Sequence, residues 1–186
     1  MRRDGDAEIY LMNADGSDQQ NLTLSSSYDS GPAWSPDGTQ IAFRSDRTGV
    51  FQIYLMAPDG FDVRTIPGHP VSCMAPTWSP DGTRLAFRTE TDIRIIEVDG
   101  TEVARLDPAW TQYGGVVWSP DGRELAFHVL GRVGVLDIYT ISVETGAVRP
   151  LTDRVGRDFG VSWFAGAGLS TLIRSSSWAA IKLLVR

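Results

Sequence analysis

The amino-acid sequence predicts an all-β fold made of repeated, four-stranded antiparallel sheets, and three observations carry this prediction. The segment WSPDGTQIAF at 34–43 returns almost unchanged as WSPDGTRLAF at 78–87 and as WSPDGRELAF at 118–127. The tryptophans that open these copies, together with Trp163, stand 44, 40 and 45 residues apart. Each interval also contains further short β-rich runs separated by turn residues. A repeat of this length is one structural unit used several times.

Each unit divides into four short strands. The first is an apolar run that ends in Trp, such as GVVW, and the second alternates, as in TQIAFRS. A third run such as FQIYLM and a short fourth run such as DVRTI follow, with a Gly turn between them. Four strands in a period of about 40 to 45 residues are typical of a β-propeller. Each sheet then has two apolar faces, which the neighbouring sheets must cover.

The tetrapeptide Ser-Pro-Asp-Gly has the residue preferences of a type I turn. Pro presets the backbone at the second position, Asp bonds its own backbone, and Gly takes a left-handed conformation that closes a hairpin. We therefore interpret the repeated aspartates as turn chemistry and not as a binding site. We interpret the tryptophans as packing between neighbouring units. The three turns occupy 35–38, 79–82 and 119–122.

The two ends of the chain look like two halves of one unit. The N-terminal segment matches the second half of a repeat, and VSWF with LSTLIRS matches the first half. We therefore expect four blades, the last one closed by N- and C-terminal strands, which leaves no unpaired edge. The predicted pieces are a second half-blade at 1–24, whole blades at 31–66, 75–107 and 115–152, and a first half-blade with a tail at 161–186.

Two alternatives to a four-bladed ring stay open. The chain could be half of an eight-bladed dimer, or a fragment of a six-bladed ring. The segment 179–185 also supplies one strand more than four blades need.

Composition excludes several classes of protein. The chain has 186 residues and a net charge of −6, which argues against nucleic-acid binding, because that affinity comes from Lys and Arg on phosphates. No apolar run reaches the roughly 18 residues of a membrane span, so we expect no membrane insertion. The single Cys73 excludes an internal disulfide. The start, MRRDGDAEIY, lacks the apolar stretch of a signal peptide.

The repeats resemble those of the TolB-type β-propellers. The resemblance rests on WSPDG followed by I/L-A-F, then an I-Y-L run and a second turn with Gly, and it covers residues 7 to about 164. It implies a propeller fold and a periplasmic or extracytoplasmic location. TolB is itself a periplasmic partner of an outer-membrane lipoprotein. Similar repeats also form the propeller domain of prolyl-oligopeptidase-like hydrolases, so the resemblance implies no single function.

A meander of four strands sends its connections to two opposite ends. The Gly turns fall at one end, which we call the turn face, and the long irregular connections fall at the other, which we call the loop face. Variable loops on a fixed frame are the usual place for binding. The residues just before each Trp strand should ring the mouth of a central channel. We predict ligand-binding residues there: Tyr28, Asp29, His69, Tyr113, Arg157, Asp158 and Phe159.

These features favour a non-catalytic binding or scaffold module that recognises a protein or peptide on the loop face, as a monomer or homodimer. We predict no catalytic residue, metal or cofactor, because the sequence contains no Cys/His ligand pattern and no G-x-S-x-G segment. The alternatives are an enzyme at the channel mouth acting on glycans or peptides, with Asp29 and Asp158 as its acid and base, and an accessory domain.

Overall fold

Sixteen antiparallel strands make up the part of the chain that the structure, a computed structural model, describes. That part comprises residues 7–67, 72–74, 76–107, 112–130, 136–152, 159–166 and 169–175; for 112–114, 130, 136, 159–161, 164–166 and 169–175 only the backbone is described. Within it, no helix is long and apolar enough to cross a membrane.

Three complete sheets follow one another along the chain, and in each the strands pair in the order of the sequence. Sheet A consists of β3 (Asp29–Trp34), β4 (Ile41–Ser45), β5 (Gln52–Met56) and β6 (Arg64–Thr65). Sheet B consists of β7 (Thr77–Trp78), β8 (Arg84–Arg88), β9 (Ile93–Glu97) and β10 (Glu102–Leu106). Sheet C consists of β11 (Gln112–Trp118), β12 (Glu124–Leu130), β13 (Leu136–Ser142) and β14 (Val148–Pro150). The predicted four-stranded antiparallel units are confirmed.

Two strand pairs flank these sheets. The N-terminal pair joins β1 (Tyr10–Leu11) to β2 (Gln20–Asn21), and the C-terminal pair joins β15 (Phe159–Gly166) to β16 (Leu169–Ser175). Each pair is a separate two-stranded sheet, and the described residues do not join the two pairs into one blade. The tail at 179–185 lies outside the described residues. Blade number and ring closure therefore stay predictions.

The SPDG segments form the turns that their sequence predicts. In each turn the Gly N–H donates to the Ser carbonyl at 2.9 Å, and the Ser hydroxyl donates to the Asp carboxylate at 2.6 Å. The third residue of each turn is thus engaged within its own turn, as the interpretation of these aspartates as turn chemistry requires. Gly82 has a φ of +72°, in the left-handed region that favours glycine.

The core lies between consecutive sheets. Strand side chains alternate between the two faces of a sheet, so the Phe in the middle of each second strand points toward the preceding sheet. Phe43 packs with Ile9 and Leu22 of the N-terminal pair. Its counterparts are equally buried: Phe87 is in the cluster between sheets A and B, and Phe127 is in the cluster between sheets B and C.

The tryptophans pack between units, as predicted. The indole of Trp78 donates to the carbonyl of Ala33 in sheet A, and Trp118 and Trp163 make the corresponding bond one sheet further along. Trp78 is 8% exposed, whereas Trp34 is 48% exposed. Trp34 is more exposed because the unit before sheet A, the N-terminal pair, has no first strand against which the indole could pack.

Candidate binding face

The loop face carries a basic residue at the same register in the second strand of each complete sheet. These residues follow the buried Phe by one position, so their side chains point toward the next sheet and not the preceding one. Arg44 on β4 lies at the junction of sheets A and B, and Arg88 on β8 lies at the junction of sheets B and C. His128 on β12 faces the C-terminal pair. All three are partly exposed.

Arg44 is the best described of these cations. Its guanidinium carbon lies 3.9 Å from the centre of the Phe51 ring and 5.9 Å from that of Tyr28. Its Nη1 lies 3.3 Å from the sulfur of Met74, at the start of sheet B. Its Nε is buried and has no hydrogen-bond partner among the residues that the structure describes. Arg44 forms no ion pair with any residue that the structure describes. The contacts of its guanidinium are therefore with rings and sulfur and not with a carboxylate.

Tyr28 stands at the edge of this cluster and is 37% exposed. Its ring meets Phe51 edge to face, with centroids 5.8 Å apart and planes at 87°. Its backbone N–H donates to the carboxylate of Asp46 at 2.8 Å, which fixes the start of β3 against the loop between β4 and β5. The cluster of Tyr28, Arg44, Phe51 and Met74, which we call the Arg44 cluster, thus presents an aromatic and cationic surface.

Asp29 follows Tyr28 but is only 1% exposed. Both of its carboxylate oxygens accept from Nη2 of Arg47, at 3.1 and 3.2 Å. Nε of Arg47 donates to the hydroxyl of Ser45 at 3.0 Å, which anchors the guanidinium on β4. In this structure Asp29 holds the loop of Arg47 against the sheet.

The other predicted site residues are placed only in part. Tyr113 is on β11, where it pairs with His128 across the strands, and Phe159 begins β15. His69, Arg157 and Asp158 lie outside the described residues. The structure therefore brings Tyr28 and Asp29 together at the start of β3, and the predicted ring of ligand-binding residues stays a prediction.

Burial shapes the electrostatics of Arg88 and His128. Burial lowers the pKa of Arg88 from its usual value. Burial, and next the positive charge of Arg88, lower the pKa of His128 below 6.5. The Nδ1 of His128 is buried and has no hydrogen-bond partner within the described part of the chain. Burial therefore disfavours the charged form of both groups, so His128 is mainly uncharged at neutral pH.

Cys73 lies beside the Arg44 cluster but is not reactive in this setting. Its thiol is buried and lies 3.4 Å from the carbonyl of Phe51. Burial raises the pKa of Cys73 to about 11, although the charge of Arg44 acts in the opposite direction. Because the thiolate is the nucleophile, Cys73 acts here as a small core side chain.

Sequence reasoning did not select Arg44, Phe51, Arg88 or His128 as site residues. A signal for three of them is present: a basic residue follows the central Phe in IAFRS, LAFRT and LAFHV. Phe51 carries no such pattern, because it belongs to the loop before β5.

Cavities lie along the edges of the sheets in the described part of the chain. One of about 390 Å³ lies between β1 and β3 and is lined on the loop-face side by Tyr28 and Asp29. A more open groove of about 760 Å³ lies on the turn face, between sheets B and C, and is lined by charged residues that include Arg84, Arg123 and Glu144. In the described part of the chain, no three His, Cys, Asp or Glu side chains come close enough to hold a metal ion.

Comparison with known proteins identifies the repeats. Residues 1–70 match the family PD40, described as the TolB beta propeller domain. A TolB homolog of Chlorobium chlorochromatii (strain CaD3) is 48% identical over 44 residues, which are 24% of this chain and 10% of that protein. Among solved structures, a putative TolB from Agrobacterium tumefaciens matches with a TM-score of 0.70 and 24% identity. TolB from Acinetobacter baumannii matches with a TM-score of 0.71 and 21% identity.

The structural matches cover most of this chain but only part of each TolB structure. The Agrobacterium match covers 84% of this chain and 58% of that one, and the Acinetobacter match covers 89% of this chain and 45% of that one. The chain thus spans about half the length of these TolB structures. At such identities the structural likeness establishes the fold, and the function of the relatives is not transferred with it. The chain therefore resembles the TolB-like PD40 propeller domain by sequence over residues 1–70, and it shares the propeller fold of the TolB structures over most of its length.

Proposed function

We propose that this chain is a non-catalytic propeller module that binds a protein or peptide through its loop face. The observation that carries the proposal is the Arg44 cluster, in which a guanidinium without an ion pair among the described residues lies against Phe51 beside the exposed ring of Tyr28. Arg, Tyr and Met are enriched in protein interfaces, and Arg and Tyr supply many of the residues that dominate binding energy. The rigid sheets beneath hold these side chains in place.

The turn face is the natural comparison surface. Phe61 lies in the turn between β5 and β6 and is 72% exposed. It offers an exposed aromatic ring against which no guanidinium of the described residues packs. A binding site on the loop face should depend on Tyr28 and not on Phe61.

The experiment selects peptides from a random display library on the wild-type protein, and then measures their affinities by fluorescence anisotropy. We expect Tyr28→Ala to weaken binding about tenfold or more, because a ring at the centre of an interface contributes on that scale. Phe61→Ala should leave the affinity within about twofold. Failure to select any peptide, or an equal loss in both variants, would contradict the proposal.

The alternative of an enzyme at the channel mouth stays a prediction. It depends on the separation between the carboxylates of Asp29 and Asp158, and Asp158 lies outside the described residues. The pairing of Asp29 with Arg47 supports a structural use of that carboxylate, so no observation favours the alternative.

We also propose that β16 pairs with β1 to close the propeller as a single four-bladed ring, and that the protein works in an extracytoplasmic compartment, as the resemblance to TolB implies. Light scattering tests the closure. A mass of 20.4 kDa together with a tryptophan emission that shows Trp34 shielded would support it. A dimer would favour a larger ring made from two chains, and a monomer with Trp34 exposed would mean that the ring is open.

A further inference from the structure

We propose that Asp59, in the turn between β5 and β6, is a modification site at which the folded chain converts aspartate to isoaspartate. This spontaneous reaction occurs mainly where glycine follows aspartate, because glycine leaves its own backbone nitrogen open to react with the aspartate side chain. Asp-Gly occurs seven times in the sequence, and the pair at 4–5 lies outside the described residues. The other six pairs differ in how firmly the carboxylate is held. The inference does not depend on the proposed function.

The modification needs no reagent other than water. The backbone nitrogen of Gly60 attacks Cγ of the protonated Asp59 carboxyl group. The N–H proton and the carboxyl hydroxyl leave together as water, and a five-membered succinimide ring remains. A water molecule then adds to one of the two ring carbonyls and opens the ring, which gives either aspartate or isoaspartate. The carboxyl group must turn toward the glycine nitrogen, so hydrogen bonds that hold it elsewhere slow the reaction.

The turn between β5 and β6 differs from the SPDG turns at its first residue. Its sequence is Ala-Pro-Asp-Gly, and the N–H of Gly60 donates to the carbonyl of Ala57 at 3.0 Å, as that of Gly38 donates to Ser35 at 2.9 Å. Alanine has no hydroxyl, so the bond of 2.6 Å from Ser35 to the carboxylate of Asp37 has no counterpart here. The backbone hydrogen bond is the same in both turns, and the serine hydroxyl is what separates them.

Asp59 is held by fewer hydrogen bonds than the aspartates of the SPDG turns. Its exposed carboxylate accepts, within the described part of the chain, the backbone N–H of Phe61 at 3.1 Å and no other donor. Asp37 accepts the hydroxyls of Ser35 and Thr39 as well as the backbone N–H of Thr39. In the other two SPDG turns the carboxylate accepts the serine hydroxyl and the backbone N–H two residues on. Such bonds favour the ionised carboxylate, which resists attack by a nitrogen.

Asp15 and Asp99 lie outside the SPDG turns and are also held more firmly than Asp59. The backbone N–H and the hydroxyl of Ser17 donate to Asp15 at 2.9 and 2.7 Å. The backbone N–H of Thr101 donates to Asp99 at 2.8 Å, and this bond, followed by one from the hydroxyl, lowers the pKa of Asp99. We therefore expect Asp59 to react fastest and Asp99 to be second.

The product should disturb the contact between this turn and the N-terminal strand pair. The main chain of Gly60 is closely packed there, since a Cβ on Gly60 would lie 2.7 Å from the carbonyl oxygen of Leu22. Isoaspartate adds one methylene group to the main chain directly before Gly60, where the packing leaves little room for it. The strand that follows, β6, has only two residues to hold it in the sheet. We expect the modified protein to melt at a lower temperature.

The test stores the folded protein at near-neutral pH, below its melting temperature, and follows isoaspartate at each Asp-Gly pair. Enzymatic methylation of isoaspartate gives the total, and digestion with Asp-N protease, which does not cleave before isoaspartate, gives the position by mass spectrometry. We expect Asp59 to react at least about fivefold faster than Asp37, because the hydroxyl bonds are absent. The control is the same protein unfolded in urea, in which the six pairs should react at similar rates.

Two substitutions exchange the feature that separates the turns. Ala57→Ser supplies the missing hydroxyl and should slow the reaction at Asp59 about fivefold, whereas Ser35→Ala should accelerate the reaction at Asp37 by a similar factor. Asp59→Glu removes the site, because glutamate would have to form a six-membered ring, and its melting temperature should stay constant during storage. Thermal unfolding shows whether each variant is folded, and the two exchanges test the inference independently.

Three results would overturn the inference. One is a similar rate at Asp59 and Asp37 in the folded protein. Another is a preference for Asp59 that persists in urea, since the preference would then come from the neighbouring sequence and not from the fold. The third is an unchanged rate at Asp59 in folded Ala57→Ser, or at Asp37 in folded Ser35→Ala, which would show that the serine hydroxyl does not control the reaction.

Discussion

The indole Nε1 of Trp78 donates a hydrogen bond of 3.0 Å to the backbone carbonyl of Ala33, the residue directly before Trp34. Trp118 bonds in the same way to the carbonyl of Thr77, and Trp163 to that of Val117. Each first strand is therefore tied to the first strand of the preceding unit by the residue that opens the repeat. The sheets are joined by directional bonds as well as by apolar packing.

Removing the indole donor at Trp78 should destabilise the fold. Trp78→Phe keeps an apolar ring but leaves the carbonyl of Ala33 without its partner, so we expect a loss of about 1–3 kcal/mol in the free energy of unfolding. Trp34→Phe is the matched comparison: it should change stability by less than about 0.5 kcal/mol if Trp34 stays as exposed as the described residues leave it, and by as much as Trp78→Phe if the proposed ring closure covers it. Urea unfolding measures both. Similar losses in the two variants would show that Trp34 is covered in solution.

Two glycines with the same backbone conformation should differ in their tolerance of a side chain. Gly82 and Gly100 have φ values of +72° and +95°, so alanine is strained at both, by about 1–2 kcal/mol. A Cβ on Gly82 would meet only ring atoms of Pro36, the nearest at 3.6 Å, whereas a Cβ on Gly100 would meet the backbone oxygen of Pro67 at 2.5 Å. We expect Gly100→Ala to cost about 1–3 kcal/mol more than Gly82→Ala in denaturant unfolding. Equal costs would mean that the turn containing Gly100 can move away from Pro67 without a loss of stability.

The SPDG aspartates should make the fold sensitive to acid. The hydrogen bond from the Ser hydroxyl, and then the backbone N–H two residues on, hold the pKa of Asp37, Asp81 and Asp121 below the usual 3.8. A depressed pKa in the folded state stabilises the fold above the unfolded pKa, and that contribution is lost as pH falls through the folded pKa. Replacing all three by Asn should flatten the decline of the melting temperature below about pH 4. A decline parallel to that of the wild type would contradict this origin.

His128 should add a second pH dependence nearer neutrality. Its pKa is below 6.5 in the folded state, mainly through burial, so the unfolded chain takes up the proton first as pH falls. The stability that this group contributes is therefore present above about pH 6.5 and is lost below it. We expect His128→Gln to flatten the change in the free energy of unfolding between about pH 7 and 5, measured by urea titration. The control is His69→Gln, at the other histidine, in which the free energy of unfolding should change with pH as in the wild type. If the pH dependence disappears in His69→Gln and not in His128→Gln, it originates at His69.

Much of the fold could be predicted because its signals are local. Ser35, Pro36, Asp37 and Gly38 specify one hairpin through bonds within four residues, and the structure repeats that hairpin three times. Ring closure is different in kind, since it depends on whether β16 meets β1 from the opposite end of the chain. Whether two strands so far apart in the sequence can pair depends on how strongly the whole row of sheets curves. No local sequence pattern specifies that curvature.

The candidate site was harder to predict for the same reason. Tyr28 could be selected from its place before a Trp strand. The ion pair between Asp29 and Arg47 could not be predicted, because Arg47 lies in a loop whose path is set by the turn from Asp46 to Gly49. The contact of Arg44 with Met74 joins two sheets and appears only once those sheets are packed. The sequence shows the basic residue that follows each buried Phe, but only the structure shows that its side chain points into the junction between two sheets.

The tryptophan bonds give the row of sheets a direction. Sheet B, sheet C and the C-terminal pair each donate an indole to the sheet before them. One end of this row therefore presents an indole, at Trp34, and the other presents the carbonyl of the residue before Trp163. Donor and acceptor are complementary, while two donors or two acceptors are not. Any copy of this chain that joined the row through these groups would have to join head to tail. A two-fold symmetric contact through Trp34 could not reproduce the bond, and only a ring, whether of one chain or of several, would leave no indole without a carbonyl.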